Sequence, residues 1–211
     1  MALGPVAMMF LFMSFLVGPQ LLRQDFRHDL PMADVLKTYP MKGWQMALGE
    51  LLAPAVILTG LQWLLLILCA SMLSKFGNDE FPLMPRLMVA IGMAIIAPVL
   101  NLVSLVIPNA AVLLFPGWFQ VGKDAPQGIE ATGQRLIFML GQLVVFVVAL
   151  APAAVLFAIT YFVGRMLIGP WLPVPIAALA AGLVLGAEAW IGMLWLGKLF
   201  EKFDVSAESA V

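Results

Sequence analysis

The chain has 211 residues, of which 63% are hydrophobic and 11% are charged, and its mean hydropathy is +1.04. A soluble domain is about half apolar and about a quarter charged, so this composition excludes an ordinary soluble protein. Eleven basic against twelve acidic residues leave no positive excess for nucleic acid. With one cysteine, Cys69, and one histidine, His28, the chain cannot form an internal disulfide, a thiolate cluster or a site with two imidazoles. We therefore expect an integral membrane protein without a catalytic or metal site.

Long uncharged runs predict the membrane spans, because about 20 apolar residues in a helix cross about 30 Å of hydrocarbon. The apolar residues occupy every helical face and do not alternate with period two, which favours helices over outer-membrane strands. The predicted fold class is therefore all-α, a polytopic bundle in one domain, 1–211. Its five expected spans are 3–22, 45–73, 87–107, 136–163 and 174–199.

The third uncharged run, 87–122, has two interpretations: one span with an interfacial segment, or two short spans that turn at Pro108-Asn109. Five spans place eight basic residues on one side and three on the other, whereas six spans divide them five against six. Because cytoplasmic loops carry an excess of basic residues, the sequence predicts five spans, with the N-terminus outside and the C-terminus inside. The segment 115–119 is then a surface anchor or a re-entrant segment. The expected cytoplasmic parts are 23–44, 108–135 and 200–211.

The loop between the first two spans contains a short amphipathic segment. A helix of about two and a half turns is predicted over 31–39, because proline suits its first turn and Pro40 ends it. Apolar residues recur at i, i+3, i+4 and i+7 and form one predicted face: Met32, Val35, Leu36 and Tyr39. Asp34 and Lys37 fall on other faces. Since so short a helix is marginal in water, we expect the membrane surface, the chain's own span ends or a cytoplasmic partner to cover the apolar face.

The motifs of this region resemble a known transporter family. They are D-F-R-x-D-L at 25–30, L-K-T-Y-P-M-K-G-W at 36–44 and L-G-E-L-L-A-P at 48–54. The sequence resembles ATP-binding-cassette (ABC) exporter permeases of the second export superfamily, and is most similar to a group of bacterial ABC exporters. The segments 128–136 and 199–206 also look like that group. The superfamily's usual unit has six spans with both ends inside, so the resemblance implies that a first span precedes this sequence.

The resemblance implies a permease subunit that moves substrate across the bacterial inner membrane by alternating access. Its coupling helix would contain Met32, Asp34, Val35, Leu36, Lys37, Tyr39 and Pro40. The implied partners are a separate ABC ATPase, a second permease unit that is identical or related, and the lipid bilayer. The chain has no G-x-x-x-x-G-K-[ST] sequence, so we expect no cofactor on it and ATP on the partner subunit.

Two carboxylates fall at bilayer depth, where charges are costly and often functional. Glu50 lies near the cytoplasmic side of the second span and could make a structural polar contact, for example with Arg23 or Arg27, extend towards water, or act as a conformational relay. Glu188 lies nearer the middle of the fifth span and could serve helix packing or a substrate or proton path. The same span carries a small-xxx-small series, Ala178, Gly182 and Gly186, which predicts close helix packing.

Two other functional classes stay open. One is a non-transporting scaffold or accessory subunit. An intramembrane enzyme fits the sequence less well, because the chain has no H-E-x-x-H sequence, His28 lies in a loop, and Glu50 and Glu188 are expected at different depths.

The eight-to-three charge division predicts the topology. A reporter fused after Val211 should be cytoplasmic, and one inserted at Gly77-Asn78 should be external, because the basic loops stay inside. Paired alkaline phosphatase and green fluorescent protein fusions measure this. A cytoplasmic reporter at Gly77-Asn78 would contradict the five-span arrangement.

Overall fold

The computed structural model describes residues 3–22, 26, 32–72, 75–76, 79–80, 82–115 and 129–203. In this part of the chain, five long helices are apolar enough to cross a membrane, which confirms the predicted all-helical class and the number of spans. The elements in chain order are α1 (Leu3–Leu21), α2 (Ala33–Leu36), α3 (Gly43–Met72), β1 (Lys75–Phe76), β2 (Asp79–Glu80), α4 (Leu83–Leu114), α5 (Ile129–Ile168) and α6 (Pro173–Lys202). The strands β1 and β2 form a small antiparallel hairpin.

The helices α4, α5 and α6 extend beyond the predicted spans at both ends, whereas α1 and α3 lie within one or two residues of theirs. α4 continues through Pro108 to Leu114, so the chain does not turn at Pro108-Asn109. α5 begins at Ile129, seven residues before the predicted span. A helix satisfies its own backbone hydrogen bonds in hydrocarbon and beyond it, and one proline removes only a single N–H from a long helix. Hydropathy therefore locates the apolar part of each helix but not its ends; the remainder of the predicted loop, 116–128, lies outside the described residues.

The connection between α5 and α6 is a tight reversal. α5 ends at Ile168, and Gly169 adopts a φ of 90°, a left-handed conformation that glycine adopts without a Cβ clash. α6 then begins at Pro173, whose fixed φ suits the first helical turn. The reversal places α5 beside α6 as its antiparallel neighbour.

α6 packs against α3, α4 and α5, whereas α1 packs mainly on α3. Only 6% of the most apolar part of α5 is buried, compared with 28–39% for α3, α4 and α6. α5 is therefore the edge of the bundle and leaves a long apolar surface uncovered by the described residues.

Polar side chains join α3 and α4 inside the bundle. Asn101 donates to Gln62 Oε1 at 2.8 Å and to Thr59 Oγ1 at 3.0 Å, and Gln62 donates back to Asn101 Oδ1 at 3.2 Å. All three side chains are buried. Apolar surroundings make an unpaired amide costly, so this mutual pairing lets the two amides lie at membrane depth.

A second polar contact between these helices involves a proline. Pro98 has no N–H, so the Ala94 carbonyl loses its usual partner four residues along the helix. The Trp63 indole on α3 donates to this carbonyl at 3.0 Å. The proline in α4 therefore creates an acceptor that α3 satisfies.

α3 and α6 come into backbone contact where Gly43 meets Gly197. A Cβ added to Gly43 would overlap the Gly197 carbonyl oxygen, and one added to Gly197 would overlap the Trp44 backbone nitrogen. The Gly43 N–H donates to Glu201 Oε1 at 2.7 Å. Because the first N–H groups of a helix have no partner within it, α6 caps the start of α3.

The predicted packing face of α6 lies against α4, and this contact is less close than the one between α3 and α6. Ala178 is completely buried. A Cβ on Gly182 would lie 3.8 Å from Ile95 Cγ2, and one on Gly186 would lie 3.7 Å from Val99 Cγ1. These are ordinary van der Waals distances, so the small residues allow this contact without requiring glycine.

The two kinds of glycine contact predict opposite mutational effects. Gly197→Ala should destabilise the bundle by about 1–3 kcal/mol, because the new methyl group forces the α3 and α6 backbones apart. Gly182→Ala is the matched control on the same helix. It should be neutral or stabilising by up to about 1 kcal/mol, because alanine favours the helix. Thermal unfolding in detergent measures the stability of both variants. Equal unfolding midpoints would contradict the backbone contact between α3 and α6 at Gly43 and Gly197.

Candidate functional site at the α2 end of the bundle

α2 is a single helical turn, shorter than the predicted helix over 31–39. It spans Ala33–Leu36, and the chain then makes i→i+3 bonds from the Thr38 and Tyr39 nitrogens. The Thr38 hydroxyl donates to the Val35 carbonyl at 2.7 Å, which competes with a helical N–H for that acceptor. Pro40 cannot donate a further backbone bond. These local effects therefore end α2 before the apolar pattern of the sequence ends.

The predicted apolar face of α2 has a part that packs against the bundle and a part that is exposed. Ala33 is completely buried and Leu36 is partly buried, and both pack against the bundle. The other apolar side chains of this segment point outward, with exposed fractions of 66%, 60%, 56% and 51%: Met32, Val35, Tyr39 and Met41. We call these four residues the α2 surface.

Phe26 anchors the preceding loop to two long helices. Its ring is 1% exposed and stacks on Phe200 of α6 with a centroid separation of 5.1 Å. Its N–H donates at 3.2 Å to Asn109 Oδ1 of α4. Asn109 is itself held by its bond to the Leu105 carbonyl at 2.9 Å. The predicted partners of Glu50 in this loop, Arg23 and Arg27, lie outside the described residues.

Lys37 ties α2 to the end of α6. Its ammonium donates to the Phe203 carbonyl and lies 6.0 Å from the Phe200 ring centroid. The last carbonyls of a helix lack partners within it and attract cations, so the α6 end is a suitable acceptor for this lysine. Lys37 thus links α2 to the end of α6.

The two sides of α2 have different surroundings. Its inner side packs in the hydrophobic cluster that also contains the ends of α4 and α6, while its outer side presents apolar side chains without a cover among the described residues. The described residues contain no cluster of three or more histidine, cysteine or carboxylate side chains that could hold a metal.

The two carboxylates can be placed along their helices relative to the α3–α6 crossing. Glu50 lies seven positions after Gly43 and Glu188 nine positions before Gly197. At 1.5 Å per residue, they are about 10 Å and 14 Å from this crossing. Their difference in depth within the bilayer stays a prediction.

Glu188 is partly buried on α6. Its Oε2 atom is enclosed and has no hydrogen-bond partner within the described part of the chain. Glu50 is partly buried on α3. The packing role and the substrate or proton path of Glu188 both stay predictions.

Comparisons with protein-family models, curated proteins and solved structures found no match to this chain.

The enclosed carboxyl of Glu188 predicts a charge-dependent effect on assembly. Glu188→Gln should fold normally, because the neutral amide has nearly the same shape. Glu188→Lys should reduce membrane levels, because a lysine at the centre of a span costs about 2.5–3.5 kcal/mol on insertion. Quantitative immunoblots of membrane fractions measure both variants. Normal levels of the lysine variant would contradict the placement of this side chain within the hydrocarbon.

Proposed function

We propose that this chain is a membrane-spanning permease subunit of an ATP-driven ABC exporter in the bacterial inner membrane. The observation that carries the proposal is the α2 surface. Four apolar side chains are exposed on a segment whose inner side is fastened to two spans. This arrangement suits a docking point for a moving partner, and it lies in the segment whose motifs resemble the exporter family.

The proposed partner is a separate ABC ATPase, which supplies the G-x-x-x-x-G-K-[ST] sequence that this chain does not contain. In this arrangement α2 lies in the cytoplasm, the N-terminus of the sequence is external, and the C-terminus is cytoplasmic. The positive-inside distribution of basic residues supports this orientation. The polypeptide itself performs no covalent chemistry.

Movement of the ATPase would reach the spans through specific contacts. The Lys37 bond and the Phe26–Phe200 stack connect the α2 segment to α6, and Asn109 connects it to α4. Displacement of these two helix ends would open and close the bundle in alternating access. A second permease unit completes the path, and the uncovered apolar surface of α5 supports a position for that unit at the edge of the bundle.

The division of α2 into two sides predicts different effects of two adjacent substitutions. Val35→Asp should preserve folding and membrane levels but abolish ATPase binding, because a buried, unpaired charge at an interface costs several kcal/mol. Leu36→Asp should instead destabilise the permease, because this side chain packs against its own bundle. Val35→Ile is the matched control and should bind normally.

The measurement is co-purification of an ABC ATPase with the tagged chain from bacterial membranes, identified by mass spectrometry. Vanadate-sensitive ATP hydrolysis of the purified complex provides a second readout. If Val35→Asp retains both the ATPase and its activity, the α2 surface does not couple the two subunits. If no ATPase co-purifies even with the unaltered chain, a scaffold role replaces the exporter.

A further inference from the structure

A groove of about 420 Å³ lies between α1, α3 and α4, at the opposite end of the bundle from α2. Its wall is almost entirely apolar and includes Met8 and Phe12 of α1, Leu66 and Cys69 of α3, and Ala90 of α4. The α1 residues that line it recur from position 8 to position 15, so it runs for about 10 Å along that helix. The volume is within the range of about 300–1,000 Å³ that is typical of ligand pockets.

Arg86 is the charged residue in the wall of this groove. Its guanidinium donates from Nη1 to the Ala70 carbonyl at 3.3 Å and from Nε to the Pro82 carbonyl at 3.4 Å. Among the described side chains, its hydrogen bonds thus go to backbone carbonyls rather than to a carboxylate. A guanidinium has five N–H donors, so these two long bonds orient it weakly and leave donors for an anion.

Arg86 immediately precedes the uncharged run 87–122, so in a membrane-spanning α4 it would lie where the hydrocarbon meets the headgroup layer. It is three residues after the start of α4 at Leu83, about 5 Å along the helix. Headgroups occupy a layer of about 5–8 Å on each side of the hydrocarbon. An apolar channel that begins at a guanidinium in this layer is complementary to an acyl chain that begins at a phosphate, and guanidinium pairs with phosphate in a bidentate manner.

We propose that this groove binds one anionic phospholipid of the surrounding bilayer, with its phosphate on Arg86 and one acyl chain between α1, α3 and α4. The site is separate from the α2 surface and does not depend on an ATPase. It would fix the position of α1, which packs mainly on α3, by filling the gap between α1 and α4.

The experiment is native mass spectrometry of the purified full chain after exchange into phosphatidylglycerol or phosphatidylcholine with identical acyl chains. The unaltered protein should retain the anionic lipid more strongly than the zwitterionic one. Arg86→Gln should weaken retention of phosphatidylglycerol about tenfold, the effect of losing one charge-assisted hydrogen bond. Arg86→Lys should restore part of it.

Two further variants separate the site from general effects. Arg165→Gln removes an exposed arginine from the end of α5 and should retain phosphatidylglycerol like the unaltered protein. Ala90→Phe places a ring in the groove while keeping Arg86, and should lose the lipid. Equal losses for Arg86→Gln and Arg165→Gln would overturn the proposal in favour of non-specific surface charge. Full retention by Ala90→Phe would overturn the acyl-chain position.

Cys69 offers a readout that needs no variant, because it is the only cysteine and lies in the groove wall. Phosphatidylglycerol should slow maleimide labelling of Cys69 relative to phosphatidylcholine. Equal labelling rates would contradict occupation of the groove. Oxidative Cys69–Cys69 crosslinking in membranes would also overturn the proposal, because it would show a second copy of the chain in place of the lipid.

Discussion

The backbone contact between Gly43 and Gly197 is the constraint on which the α2 end of the molecule depends. Because no side chain separates α3 from α6 at this point, Glu201 reaches the first N–H of α3. The same approach brings Trp44 within 5.8 Å of Trp190, centroid to centroid. Within the next two turns of the chain, Phe200 near the end of α6 and Phe203 just after it are then in position to hold the loop before α3. If α3 and α6 were further apart at this point, α6 would lose all of these contacts together.

Physical arguments from composition predicted the number and class of the spans, because the thickness of hydrocarbon and the cost of charge within it apply to any sequence. They did not predict the helix ends, since α4 continues through Pro108 into the apolar residues 110–114 and α5 begins at Ile129, before its uncharged run. They also drew attention to Ala178, Gly182 and Gly186, whose spacing forms a pattern. Gly43 and Gly197 form no pattern, because they are far apart in the sequence and meet only after the bundle has formed.

The candidate site was predictable in position but not in orientation. Periodicity shows which residues of a helix lie near one another, yet it does not show which side meets the protein. Leu36 packs inward with Ala33, whereas Val35 and Tyr39 face outward, because Lys37 and Phe26 fix the rotation of the segment. The anchoring role of Phe26 and Asn109 had no signal in the sequence, since their partner residues come from distant helices.

The paired amides of Gln62 and Asn101 have a consequence for how the spans can move. Apolar helices slide past one another in lipid at little cost, because a neighbouring helix and an acyl chain offer similar surroundings. A slip of α3 along α4 by one turn, about 5.4 Å, would part the amides and leave each buried without a partner, at about 1–3 kcal/mol per group. The pair therefore fixes the vertical register of the two helices. Because a slip between α3 and α4 carries this cost, the amide pair favours movement of the two spans as one unit.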